Sequence, residues 1–313
     1  TIGLVLLTGV AGLTSFGQAA FVGIGAYTTA VLTTAYGLSP WLTLPISLLL
    51  TTAIALVLGF VTLRLSGHYL PLGTIAWGIS IFFVFGNLEI LGKYSGLADI
   101  PALNIFGVSL IGGRQFYYPI WLPTLAALLA TRNLLDSRVG RAIRALKGRG
   151  VMAESFGVDT ARLKIIIFLH AALLANISGW LYAHFLRYVS PSPFNINASI
   201  DYLFMAVIGG SAQVWGAVIG SAILTLLKEW LKDLLPKLFE SSGNYEIVAL
   251  GLLIILMLHR TRDGLVPYFA ALAPNMGPRA RPVATQALPA RTQPQAGQTL
   301  LEFHQVTKSF NAL

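Results

Sequence analysis

The chain has 313 residues, 55% of them hydrophobic and only 11% charged, with a mean hydropathy of +0.72. Soluble domains carry about 25% charged residues, so an ordinary water-soluble globular fold is excluded. There is no cysteine, which excludes disulfides and leaves the redox compartment unread.

The net charge is +9, and its clustering carries more information than its size. No Asp, Glu, Lys or Arg occurs from Thr1 to Leu63. Further charge-free windows cover 65–88, 115–131, 165–186, 202–227 and 247–259. A helix needs about 20 mostly apolar residues to cross the hydrocarbon core. A charge at its centre costs at least about 2.5 kcal/mol. The windows therefore predict an all-α polytopic membrane protein.

In chain order, Ile2–Val10 is apolar but too short to span. It also lacks the basic region and cleavage site of a signal peptide. It reads as the remainder of a helix begun earlier in a longer chain. Spans are expected at 18–36, 41–63, 70–90, 117–131, 163–186 and 243–260. Residues 132–164 hold eight Lys or Arg against three Asp or Glu, which marks that loop as cytoplasmic. The 163–186 span then runs outward and the 243–260 span runs inward, towards His259, Arg260 and Arg262. Residues 187–243 must therefore begin and end outside. A break at Gly209, Gly210 and Ser211 keeps that parity, either as a re-entrant pair of half-helices or as a full hairpin. Thr225–Glu240 reads as an amphipathic helix lying in the outer interface, kinked or ended by Pro236.

Residues 270–298 hold five prolines with Ala, Gln and Gly, a linker composition expected to be disordered or extended. Thr299–Leu313 then suggests a short strand entering a basic turn. Few polar residues enter the spans. Asn176 is expected to bond a neighbouring helix, His170 to be structural, and His184 to be interfacial. No metal-ligand spacing, nucleophile–base set or buried carboxylate pair is visible in the sequence. The missing carboxylate pair weakens a proton-coupled secondary transporter, while an ion-driven transporter or channel and a membrane scaffold stay as alternatives.

The densest motif is SRVGRAIRALKGRGVMAESFGVDTARLK, Ser137–Lys164. Arg138, Arg141, Arg144 and Lys147 recur at helical spacing, and Gly148 and Gly150 can end that helix. Met152–Phe156 can form another, stopped by Gly157. The stretch resembles the cytoplasmic coupling loop of ABC importer permeases, in the form found in branched-chain amino-acid permeases. Residues 12–27, GLTSFGQAAFVGIGAY, are similar to the same family's entry helix, with Gln18 where His is common. Residues 188–194, YVSPSPF, and 205–221, MAVIGGSAQVWGAVIGS, resemble its short extracellular segment and its glycine-rich half-helices. The tail LLEFHQVTKSFNAL resembles the first strand of an ABC ATPase, in which Phe310 would stack on adenine.

The resemblance implies a permease domain over 1–265, a linker over 266–298 and the start of an ATPase domain over 299–313. It implies coupling to an ATPase through Arg141, Arg144, Glu154, Ser155 and Gly157. Gly12, Ser15, Gly17, Gln18, Gly209, Gly210, Ser211 and Gly216 would form helix breaks or flank the pathway. The implied partners are ABC ATPase subunits, a second related permease, an extracellular or periplasmic solute-binding protein and membrane lipid, with no nucleic acid. The implied location is the bacterial cytoplasmic (inner) membrane. ATP and Mg would belong to the ATPase, because no G-x-x-x-x-G-K-[ST] occurs in this chain.

Overall fold

The computed structural model describes residues 1–65, 69–105, 107–147, 150–210, 213–239, 245–260, 264–265, 302, 304, 305 and 307. Helix α1, Ile2–Leu4, passes into a π-helical turn, Val5–Val10. After an irregular stretch come α2 (Gln18–Thr34), α3 (Pro40–Thr62) and α4 (Tyr69–Asn87). Next are α5 (Gly113–Asp136), α6 (Arg138–Leu146), α7 (Gly150–Ser155) and α8 (Thr160–Leu186). The chain continues through α9 (Ile196–Gly209), α10 (Val214–Phe239) and α11 (Tyr245–Arg260). Among the described residues, the one sheet is a hairpin of β1 (Asn104–Ile105) and β2 (Val108–Ser109).

The helix starts follow local chemistry. Pro40 occupies the first turn of α3, where its missing N–H is not needed. Ser137 accepts from the Gly140 N–H at 3.2 Å, Asp159 from the Arg162 N–H at 2.9 Å, and Asn195 from the Ala198 N–H at 3.0 Å. These side chains cap α6, α8 and α9.

The burial pattern is inverted relative to a soluble protein. Thr43, Ser47, Thr51, Thr74, Thr131 and Asn176 are fully buried, whereas Leu49, Val57, Leu122 and Val248 are 66–77% exposed. Lipid accounts for that arrangement, since apolar outward faces of this extent are rare in water. Four described helices are long and apolar enough to cross a membrane: α3, α4, α8 and the Val214–Leu234 part of α10.

Helix α8 stands at the centre, packed against α2, α3, α5 and α6. A Cβ added at Gly179 would fall 1.9 Å from the Val22 carbonyl, and one at Gly25 would fall 2.4 Å from that of Asn176. The α2 and α8 backbones therefore touch directly, as small residues permit between membrane helices. Asn176 ties α8 to α3: it accepts from the Ser47 hydroxyl at 3.0 Å and donates to the Ser47 carbonyl and the Thr51 hydroxyl. His170 pairs with the Thr131 hydroxyl of α5 at 2.9 Å.

Three expectations need correction. Thr225–Glu240 is not a separate interfacial helix. It continues α10, and the helix runs past Pro236 to Phe239, while Leu224 and Leu231 pack with Leu250 and Ile254 of α11. Second, α9 and α10 form an unequal pair, about 21 Å and 39 Å long at 1.5 Å per residue. Only α10 is long enough to cross, so the pair is neither two short half-helices nor a full two-span hairpin. Third, His184 is not interfacial. It is fully buried, and its Nδ1 lies 2.8 Å from the Pro101 carbonyl.

By its contacts the chain divides into Thr1–Ala273 and Pro274–Leu313. The expected linker lies outside the described residues. So does most of the expected ATPase start, Phe310 included, and residues 302, 304, 305 and 307 are not in a strand.

Candidate functional site

Two interrupted helices meet beside α8. The first break follows Val10. Gly12 takes φ +74°, a left-handed turn that favours glycine, and the chain runs without regular structure to Gln18. Along that stretch, the Phe16 N–H donates to the Thr74 hydroxyl at 3.0 Å, and the Trp77 ring occupies the space that a Gly17 side chain would need. Ser15 is buried next to them. Gln18 is also buried, and its Nε2 donates to the Ala171 carbonyl of α8 at 2.7 Å. At the start of α2, the Ala19 N–H donates to the Ser199 hydroxyl of α9 at 3.0 Å. Ser199 thus serves one of the donors that every helix start leaves without a partner.

The second break joins α9 to α10. A Cβ at Gly209 would fall 1.7 Å from the Gly216 carbonyl, and one at Gly220 would fall 2.0 Å from that of Met205. Gly210 takes φ +123°. The glycine pairs therefore let two helix backbones lie in contact across a tight turn. Ser211 lies outside the described residues. Leu4 and Val5 pack on Ala206 and Ala217, so the two breaks lock into one unit.

A cavity of about 430 Å³ opens between these elements, with Gln18, Val22, Thr124, Ser178, Tyr182 and Tyr202 among its lining residues. Its wall is largely apolar with scattered hydroxyls, which suits a small solute with an aliphatic part. Of the expected pathway residues, Gln18 lines it. Gly12, Gly209, Gly210 and Gly216 shape the breaks around it.

The basic loop forms the two expected short helices, α6 and α7, with Gly150 opening α7 rather than ending α6. In α6, Ile143 and Leu146 are buried while Arg141 and Arg144 are exposed. In α7, Ala153 is buried while Glu154 and Ser155 face out. Gly157 ends it at φ +79°, its N–H donating to the Glu154 carbonyl at 2.9 Å. The Glu154 carboxylate accepts from the Thr160 hydroxyl at 2.5 Å, which joins α7 to the start of α8. Beside it, Phe156 is 78% exposed and Met152 52%. Arginines flanking exposed apolar side chains have the composition of a protein-docking surface.

Two contacts were not expected from the sequence. Lys147 donates to the Gly9 carbonyl at 2.9 Å, bridging the basic loop and the first break. Asp201 and Lys228 pair at 2.5 Å across α9 and α10, each less than one third exposed. The signal for that pair was present: the two residues bracket the charge-free window 202–227, and a turn near its middle brings its ends together.

Comparison with known proteins gives a consistent result. Residues 1–258 match the family described as branched-chain amino acid transport system / permease component. The high-affinity branched-chain amino acid transport system permease protein LivM of Escherichia coli K12 is 30% identical over 290 residues, covering 85% of this chain and 66% of LivM. The corresponding LivH of Salmonella typhimurium is 26% identical over 275 residues, covering 82% of this chain and 87% of LivH. The ribose import permease protein RbsC of Haemophilus influenzae is 25% identical over 188 residues, covering 58% of this chain and 55% of RbsC. No solved structure matches. The family match ends at 258, so it lends no support to an ATPase start at 299–313.

Proposed function

Because this chain belongs to the family of permease components of branched-chain amino acid transport systems, we propose that it is a membrane half of an ATP-binding cassette importer. It carries a branched-chain amino acid, or a related small solute such as urea or a short amide, into the cytoplasm across the bacterial inner membrane. The observation that carries the reading is the family match, which runs unbroken through both interrupted helices and the basic loop.

In this reading the chain does no covalent chemistry. ATP and Mg belong to ATPase subunits that dock on the basic loop, where Arg141 and Arg144 orient the contact. Glu154, Ser155 and Gly157 form the turn that seats in it. A second, related permease completes the pathway, and a solute-binding protein delivers its cargo at the opposite end. The protein alternates between two arrangements of packed helices, and the ATPase biases which of them is populated. The largely apolar wall around Gln18 accommodates an aliphatic solute by fit and desolvation.

The test is uptake by proteoliposomes holding the complete complex. ATP should drive leucine accumulation, and a protonophore should leave it unchanged. Accumulation driven by an imposed ion gradient without ATP would replace this reading with an ion-coupled transporter.

A further inference from the structure

The first break is tied to the loop that carries the exposed arginines. Lys147 stands immediately after α6, and its ammonium reaches the Gly9 carbonyl at 2.9 Å. Gly9 lies near the end of the π-helical turn. The last carbonyls of a helix lack intrahelical donors and carry partial negative charge, so a cation is their natural partner. In a continuing α-helix, the Gly9 carbonyl would accept from the Leu13 N–H. Here that N–H donates instead to the Leu7 carbonyl at 2.9 Å. Lys147 therefore occupies the acceptor that would let the helix wind on.

The tie is more than one bond. Ile143 and Leu146 of α6 lie in the same buried cluster as Leu6, Leu7 and Val10 of the turn. The Lys147 stem lies along Gly12, where an added Cβ would sit 3.9 Å from that of Lys147. Beyond Gly12 the chain leads to Gln18, which grips Ala171. A displacement of α6 thus has a direct route to the wall of the cavity. π-Helical turns occur often at functional sites, and a helix end that can shift its pairing is a two-state element.

We propose that Lys147 is the positioning residue that couples the basic loop to the first helix break, so that α6 and the Gly9–Gln18 segment move together. This rests on the reading that the loop receives the ATPase. Lys147 touches no solute and acts through Gly9.

The experiment uses the full complex in proteoliposomes, its partner subunits cleared of cysteine, with uptake and ATP hydrolysis measured on the same preparation. Losing a charged hydrogen bond in Lys147→Met should lower uptake about tenfold and leave hydrolysis within about twofold. Lys147→Arg should keep most uptake. Gly12→Cys combined with Lys147→Cys supplies a covalent substitute, because 3.9 Å between Cβ atoms suits a disulfide and the chain has no other thiol. Each single cysteine variant is a control for the strain of a side chain at Gly12.

Oxidising the double variant should restore uptake, and reduction should abolish it again, on one folded protein. Normal uptake by Lys147→Met would overturn the proposal. So would an oxidised double variant that transports no better than the reduced one. If the wild-type complex itself shows no ATP-driven uptake, the importer reading fails first, and the two failures are told apart.

Discussion

Asn176→Ala removes the polar clamp between α3 and α8. Asn176 is fully buried and makes three interhelical hydrogen bonds: one accepted from the Ser47 hydroxyl, and two donated at 3.2 and 2.7 Å to the Ser47 carbonyl and Thr51 hydroxyl. Interhelical bonds in membrane proteins average about 0.6 kcal/mol each by double-mutant cycle, so three contribute about 2 kcal/mol. The single Ser47 O–H proton is shared with the Leu44 carbonyl at 2.9 Å and can turn wholly to it in the variant, which limits its own loss. Reversible unfolding in mixed detergent, followed by tryptophan fluorescence, measures the change. Ser47→Ala should lose less, and the pair should be non-additive because the residues share bonds. A loss under about 0.5 kcal/mol with additive singles would show that packing alone joins these helices, and the clamp argument would fall.

Gly179→Ala places a methyl group against the Val22 carbonyl and Ala26 nitrogen, both backbone atoms, so no rotamer relieves it. It should cost at least about 3 kcal/mol and sharply lower the yield of folded protein; a thermal melt within experimental error of wild type would contradict the contact. Lys228→Gln leaves Asp201 partly buried without its cation and should destabilise by about 2 kcal/mol. Replacing both with leucine should recover most of that loss, and a double variant worse than the single would count against the pair. Glu154→Arg should leave the helices assembled but separate ATP hydrolysis from uptake, whereas Glu154→Gln keeps an acceptor for Thr160. Normal transport by the arginine variant would remove the docking role.

Three of the six expected spans, those of α3, α4 and α8, were legible because lipid imposes a simple rule on composition. Helices α2, α3, α4, α8 and α11 start within three residues of their expected positions. Helices α6 and α7 were equally legible, α6 from Ile143 and Leu146 set between arginines and the end of α7 from Gly157. Helix α10 was misread because the amphipathic pattern of Thr225–Glu240 reads as a helix lying in the interface. The Lys228 charge is compensated by Asp201, a partner 27 residues away that local periodicity does not reveal. His184 was misread for a similar reason: its partner, the Pro101 carbonyl, lies 83 residues away in the chain. The π turn and the Lys147 contact leave no sequence signature at all. They depend on where α6 meets a helix more than 130 residues earlier in the chain.

The most direct test of the central claim is ATP hydrolysis by the purified complete complex, with candidate binding proteins added empty or loaded with leucine or urea. The account predicts that a binding protein loaded with its solute stimulates hydrolysis and that the Glu154→Arg complex does not couple the stimulated hydrolysis to uptake. A complex that co-purifies with no nucleotide-binding subunit and hydrolyses no ATP under any of these conditions would contradict it.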